Sequence, residues 1–354
     1  MTRLAELLRR HFGCNITEED IRLSFVGSDG EPMTVEIPAN HEKEDCAVAG
    51  ACEPEQVQAF VLTAKDPESD AAAECVEKIK SAGIPDTAIY VQDYLESFVH
   101  FVVHQEPDLW THAVVLFTLE QGVLRSYEMI MKRQTRPYLV QVFPGPVKVF
   151  DGDDGMDEAF AELAMNYFRK KLVSSVFLAG EAFEGNWMKR SLKVLCAGRR
   201  VFQGKNLFSK GACYAALSFT KEKRASGGEE VPFIYLGERN TKSFIGILTE
   251  ARIGRECREV MSAGIFWRTC HVVCEVIADD AEEIGLVVQS AYTGESRQEV
   301  IPIPGLPKRP KRTTRLKLTF TCKSVRCCHV LVEDAGFGEF FAPSGLSWEQ
   351  DISI

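Results

Sequence analysis

A chain of 354 residues, 45% of them hydrophobic, carries enough apolar material for two or three cores rather than one. Its formal net charge of -10 argues against a general nucleic-acid binder, which needs a basic face to neutralise phosphates. The 12 cysteines, with no uncharged leader ahead of them, read as reduced thiols of a cytoplasmic protein, and no apolar run is long enough to span a bilayer.

Leu4, Leu7, Leu8 and Phe12 recur at helical spacing and predict an amphipathic helix over residues 2–12. Arg3, Arg9 and Arg10 flank its stripe, as in helices that lie on membranes, but such a stripe is ordinary for a helix packed on its own core. Residues 21–38 alternate around Gly27-Ser28-Asp29-Gly30, a hairpin signal, and 39–55 read as a loop. A strand over 59–64, a helix over 72–82, a strand over 88–91, a helix from Tyr94 to about 105 and a strand over 113–117 follow. That alternation predicts an α/β layer structure, with a hairpin-like return over 123–131 and 138–143.

From Met156 to Leu172 the set Phe160, Leu163, Ala164, Tyr167 and Phe168 is again helical. Asp151, Asp153, Asp154 and Asp157 resemble a calcium loop with Glu162 at its closing position, but Met156 stands where the obligatory glycine belongs. They read better as acids complementing a helix N-terminus. In the stretch from Val176 to Ala216, an apolar strand breaks at Gly180-Glu181, a helix carries Trp187, Leu192 and Leu195, and a further helix starts around Gly211-Ala212. Glycines so placed bring backbone close to a flat ligand and point to a nucleotide pocket.

Lys221–Glu230 is charged and glycine-containing, the texture of a linker. Strands are expected beyond it at 231–236, 244–248, 265–277, 284–292, 299–303, 314–322, 329–333 and near Ile352. Leu316, Leu318 and Phe320 alternate with Arg315, Lys317 and Thr319, the period of a half-buried antiparallel strand, and a β-sandwich follows.

Three stretches in chain order carry a resemblance: Tyr90-Val91-Gln92-Asp93-Tyr94-Leu95-Glu96-Ser97-Phe98, the strand and turn from Val114 to Tyr127, and Val176 to Ala216. Together they resemble the second half of the nucleotide-binding domain of actin and the DnaK-type heat-shock chaperones. Ile301-Pro302-Ile303-Pro304-Gly305-Leu306-Pro307 and the strand Arg315–Phe320 are similar to a segment of the chaperone's β-rich substrate domain. More narrowly, the chain resembles a bacterial family of chaperone-like proteins whose nucleotide-binding domain lacks its first lobe.

The resemblance implies an α/β actin-like (ribonuclease-H-like) ATPase-type domain over 1–220 and an all-β sandwich over 221–354. It implies contacts to ATP or ADP with magnesium at Thr118 and Gly122 of a second phosphate loop, at Gly180 and Glu181 of an adenosine loop, and at Gly211. It also implies a protein partner, or a second copy, bound through the β-domain.

Departures from the family pattern reduce the chemistry expected. The family's phosphate loop reads Asp-Leu-Gly-Gly-Gly-Thr, whereas Thr118-Leu119-Glu120-Gln121-Gly122-Val123 replaces the acid and sets the Glu120 carboxylate where phosphate oxygens belong. Such a neighbour costs about 1–4 kcal/mol even at surface-like dielectric. Ala179 replaces the first of the paired glycines, and no Asp-x-Gly turn of a first phosphate loop precedes residue 59. Weak binding without efficient hydrolysis is expected, with no catalytic residue and no metal ligand. The alternative is a nucleotide-independent structural or assembly scaffold.

Glu96, His100 and His104 share a helical face at the spacing of zinc helices, with His112 as a further ligand candidate. Phe101 stands where a metalloprotease keeps its glutamate, so the face reads as an ordinary polar one. Cys270, His271, Cys274, Cys327, Cys328 and His329 contain no Cys-x-x-Cys pair, and the cysteines read as small apolar residues. Lys308, Arg309, Lys311, Arg312, Arg315 and Lys317, kept extended by Pro304, Pro307 and Pro310, read as a solvated connector.

Overall fold

The computed structural model describes residues 21–26, 32–37, 57, 59–150, 152, 155–204, 206–219, 233–250, 254–279 and 282–354. The helix expected over 2–12, the loop over 39–55, Asp151, Asp153, Asp154 and the linker over 221–230 lie outside the described residues. Two compact units make up the chain: one takes Met1–Lys132 and Val140–Pro232, the other Arg133–Leu139 and Phe233–Ile354. Among the described residues no helix is long and apolar enough to cross a membrane.

The first unit opens with strands β1 (Ile21–Val26), β2 (Pro32–Ile37) and β3 (Ala59–Ala64), helix α1 (Asp70–Ser81), strand β4 (Ile89–Asp93) and helix α2 (Tyr94–Val103). The sheet order is β2-β1-β3-β4, with β3 parallel to β4 and antiparallel to β1. Every residue of β3 is buried, as expected of a mostly apolar strand covered on both faces, and its one polar residue, Thr63, accepts a hydrogen bond from Gln92. Ser69 caps α1 by accepting the Ala72 amide, Asp70 and Lys78 with Lys80 complement the helix ends, and Ala72, Cys75 and Ile79 form its buried stripe. Asp93 does for α2 what Ser69 does for α1, accepting the Glu96 amide at 2.7 Å.

A second sheet follows from β5 (Ala113–Glu120), β6 (Val123–Lys132), β7 (Tyr138–Val149), α3 (Met156–Phe168), β8 (Val173–Ala179), α4 (Arg190–Leu195), β9 (Arg200–Gly204) and α5 (Leu207–Phe219). These strands lie in the order β7-β6-β5-β8-β9. β6 is antiparallel to β5, whereas β8 is parallel to β5 and β9 parallel to β8. One face buries Val115, Phe117, Val176 and Leu178 against Phe160 of α3 and Leu195 of α4. On the other, Phe177 meets Phe98 and Phe101 of α2 edge-on at 5.9 and 5.7 Å. Ala212, Ala215 and Ala216 of α5 pack against Ala59 and Val61 of β3, so α5 reaches the first sheet as well.

The second unit holds β10 (Phe233–Tyr235), β11 (Ser243–Glu250), β12 (Arg255–Met261), β13 (His271–Ala278), β14 (Glu283–Ser290), β15 (Ser296–Pro302), β16 (Thr314–Ser324), β17 (Cys327–Gly336) and β18 (Ser347–Ser353). Two four-stranded sheets, β12-β11-β14-β15 and β13-β16-β17-β18, enclose a cluster that includes Ile245, Ile247, Leu286, Val288, Leu318, Phe320, Val330 and Val332. β16 alternates buried and half-exposed residues along most of its length. Leu139 packs beside Leu236, Ala263 and Ala291 in a smaller cluster. The strand expected over 265–277 begins only at His271, because Trp267–Thr269 form a 3-10 turn.

Arg309 departs from the solvated connector expected of its basic run. Its guanidinium donates to both carboxylate oxygens of Asp334, at 2.8 and 2.7 Å, and the two side chains are only 5% and 0% exposed. Asp334 also accepts the amides of Gly336 and Ser344. The neighbouring guanidinium and these donors hold its carboxyl well below the usual carboxylate range, against burial that pushes it up. A depressed pKa contributes stability that is present above the unfolded value and lost as pH falls. Asp334→Asn is therefore expected to destabilise the unit by about 3–5 kcal/mol at neutral pH, leaving Arg309 buried and unpaired. Denaturant titrations should show the gap to the parent protein shrinking below about pH 4.

Candidate functional site

The carboxyl end of β5 runs Thr118-Leu119-Glu120, and β6 begins at Val123, so Gln121 and Gly122 alone make the turn. Both have positive φ, 48° and 74°, the pairing that matches the twist of a two-residue hairpin. The Phe150 amide donates to the Gly122 carbonyl at 2.8 Å, and a Cβ at Gly122 would sit 3.1 Å from the Phe150 carbonyl oxygen. β8 lies alongside in register, Thr118 opposite Ala179. Gly180 then turns the chain at φ 121°, a backbone open only to glycine, and its Cβ position would lie 3.6 Å from the Leu119 carbonyl oxygen. Glu181 opens a 3-10 turn that drops Phe183 into the core.

Thr118, Gly122, Gly180 and Glu181 thus meet at the carboxyl ends of two parallel strands, the edge where α/β sheets collect ligands. Glu120 is not left facing this edge as a bare charge: Lys65, just after β3, pairs with it at 3.3 Å. Nearby, burial raises the Tyr127 phenol, with Arg125 opposing the shift and Glu120 adding to it.

Gly211 is used differently. It is buried in α5 against α2, where a Cβ would fall 1.9 Å from the Ser97 carbonyl oxygen and 2.7 Å from its hydroxyl. The Ser97 hydroxyl donates to the Phe208 carbonyl, and Tyr94 stacks on Phe208 at 4.7 Å. On the side where a side chain would stand, Gly211 is filled by Ser97, so this glycine lets the two helices pack closely.

Sequence reasoning missed a cavity of about 450 Å³ between the end of β9, α2 and the first turn of α5. Phe101, Phe177 and Phe202 line it together with Gln105, Asn206 and Lys210. Phe177 and Phe202 stack at 5.0 Å. The signal available was Phe202, an exposed aromatic on a short edge strand.

The polar face carrying Glu96, His100 and His104 is covered in part: His100 is buried, Glu96 and His104 half-buried. His100 is 6% exposed, and burial, with His104 adding, lowers its pKa to about 3, so the ring is neutral. Burial, with Asp93 adding, holds the Glu96 carboxyl up at about 8. His104 stacks on Tyr214 of α5 at 4.5 Å. Among the described residues, no group of His, Cys, Asp and Glu could hold a metal ion. Cys270, Cys322 and Cys328 are buried in the second unit, Cys322 directly opposite Cys328 across β16 and β17. A hydrogen bond with Cys322 and burial both raise the Cys270 thiol, which marks it as an inert core residue.

A model for the C-terminal part of a family of unknown function, DUF5716, matches residues 47–238, more than half of the chain. The chain belongs to that family. A second model, a domain of unknown function termed DUF8552, matches residues 240–354. No curated protein matches the chain. These family matches assign no role to the four residues at the strand ends, so their chemistry has to be read from geometry. For Gly211 the geometry is decisive: Gly211→Ala is expected to cost about 3 kcal/mol by overpacking against rigid backbone. Chemical denaturation checks this, and an unchanged midpoint would show that α2 and α5 can part without loss.

Proposed function

We propose that the first unit is a reduced nucleotide-binding module of the actin and DnaK-chaperone kind, which takes ATP or ADP with magnesium weakly and without efficient hydrolysis. The second unit then supplies a protein-binding face, and the protein works in the cytoplasm. The observation that carries this reading is the meeting of Thr118, Gly122, Gly180 and Glu181 at the ends of β5 and β8. Further support comes from strand order. A first strand flanked by an antiparallel hairpin partner on one side and two successive parallel strands on the other is what a ribonuclease-H-like half requires.

The Lys65–Glu120 pair shapes the expected affinity. A phosphate entering here has to compete with Glu120 for Lys65, and both groups are exposed enough that exchange costs little. No catalytic role is assigned to any residue. A second reading, a scaffold that needs no nucleotide, is favoured by the commitment of Gly211 to packing against Ser97.

Thermal unfolding with millimolar ATP, ADP and magnesium separates the two. At five times the dissociation constant the ligand adds about 1 kcal/mol, a rise of roughly 2–4 °C for a unit of this size. Glu120→Gln, which frees Lys65 and removes a repelling carboxylate, is expected to enlarge the rise. A midpoint unmoved in both proteins would discard the nucleotide and leave the scaffold.

A further inference from the structure

The two sheets of the second unit end in four strand edges, and they are not alike. Natural sheets guard their edges with charge, proline or cover. β15 carries Arg297, Glu299 and Pro302, and the Arg297 guanidinium reaches the Ser353 carbonyl of β18. On β18, Asp351 is engaged by Lys323 and His329. β12 reads Arg255-Glu256-Cys257-Arg258-Glu259, exposed throughout with four charges around Cys257. Among the described residues β13 carries the lightest guard, the single carboxylate Glu275, which pairs with Arg315 of β16 at 3.4 Å. Its sequence His271-Val272-Val273-Cys274-Glu275-Val276-Ile277-Ala278 contains no proline, glycine or lysine. Val273 and Ile277 are 47% and 59% exposed on the outer face, while Val272, Cys274, Val276 and Ala278 lie only partly buried at the rim of the core.

An edge of this composition is completed by another strand. We propose that the strand is β13 of a second copy of this chain, paired antiparallel about a twofold axis at Cys274. This occupant specifies the partner for the protein-binding face proposed above and depends on that part of the proposal alone, not on nucleotide. Side-chain alternation limits the register, because core-facing residues must stay opposite core-facing residues. Centring on Glu275 sets two carboxylates against each other, which is unfavourable. Centring on Val273 leaves Val276 and Ile277 unpaired. Centring on Cys274 pairs all of 271–277, with Val272 against Val276 on the core side and Val273 against Glu275 outside.

Charge complementarity in the facing sheet argues for a second copy over an unrelated strand. β12 lies across from β13, and its run is its own complement when reversed about Cys257: Arg255 meets Glu259 and Glu256 meets Arg258 of the copy.

Sedimentation of the full chain from micromolar to several hundred micromolar is expected to show a monomer–dimer equilibrium, weak because one strand pair is a small interface. Val273→Glu, at an exposed position, puts a carboxylate opposite Glu275 twice per dimer and should weaken association about tenfold. Val273→Lys, at the same position, should not weaken it. Opposed residues in antiparallel strands have Cα atoms about 4.5–5.5 Å apart, within disulfide range. A thiol oxidant such as diamide, which takes up the two electrons and two protons released, should therefore join Cys274 to Cys274. Peptide mapping separates that bond from any through the exposed Cys196 and Cys257. A chain monomeric throughout, equal behaviour of the two Val273 variants, or a crosslink map lacking Cys274 would each overturn the proposal, and none of them bears on the nucleotide-dependent midpoint.

Discussion

The first unit depends on how closely two helices can approach. Ser97 of α2 presents its carbonyl and hydroxyl to the one position in α5 that has no side chain, Gly211. Because the carbonyl belongs to the backbone, neither helix can yield by a rotamer change, and the distance between them is fixed by the absence of a single methyl group. The same helix α5 uses Ala212, Ala215 and Ala216 to lie flat on β3, while α2 rests on Phe177 of β8. A small-residue face on one helix thereby ties the first sheet to the second. The strand ends that gather Thr118, Gly122, Gly180 and Glu181 hang from this arrangement, since β8 cannot shift along β5 without carrying α2 with it.

Much of this was legible in the sequence, for a physical reason in each case. The runs at β3, β5 and β8 are mostly apolar because each is largely buried, and a covered strand has little polar side to confuse the reading. β16 shows its alternation because the solvent lies on one side only. β12 was invisible, since an edge strand guarded by Arg255, Glu256, Arg258 and Glu259 carries the composition of a loop. Arg309 was misjudged by its company: a run of basic residues says nothing of which one finds a buried carboxylate at a distance in sequence, here Asp334. The burial of His100 is likewise not legible in the sequence, because periodicity reports which residues share a side and not what covers it.

The site itself illustrates a limit of another kind. A glycine is needed wherever the backbone takes positive φ and wherever two backbones approach, and the letter is the same in both cases. Gly122 and Gly180 belong to the first class, with φ of 74° and 121°, and Gly211 to the second. Glu120 could be read from sequence as an obstacle to phosphate, but its partner Lys65 lies far off in the chain and is brought there only by the fold.

Segment Arg133–Leu139 belongs with Phe233–Ile354 although residues Val140–Pro232 of the other unit intervene. During synthesis, Leu139 leaves the ribosome long before Leu236, Ala263 and Ala291, the residues it will pack beside, have been made. Until then this short piece has to wait, tethered between the two stretches that make up the first unit. The second unit is therefore completed in two instalments, and a cut after Pro232 strands Arg133–Leu139 on the fragment that carries the first unit.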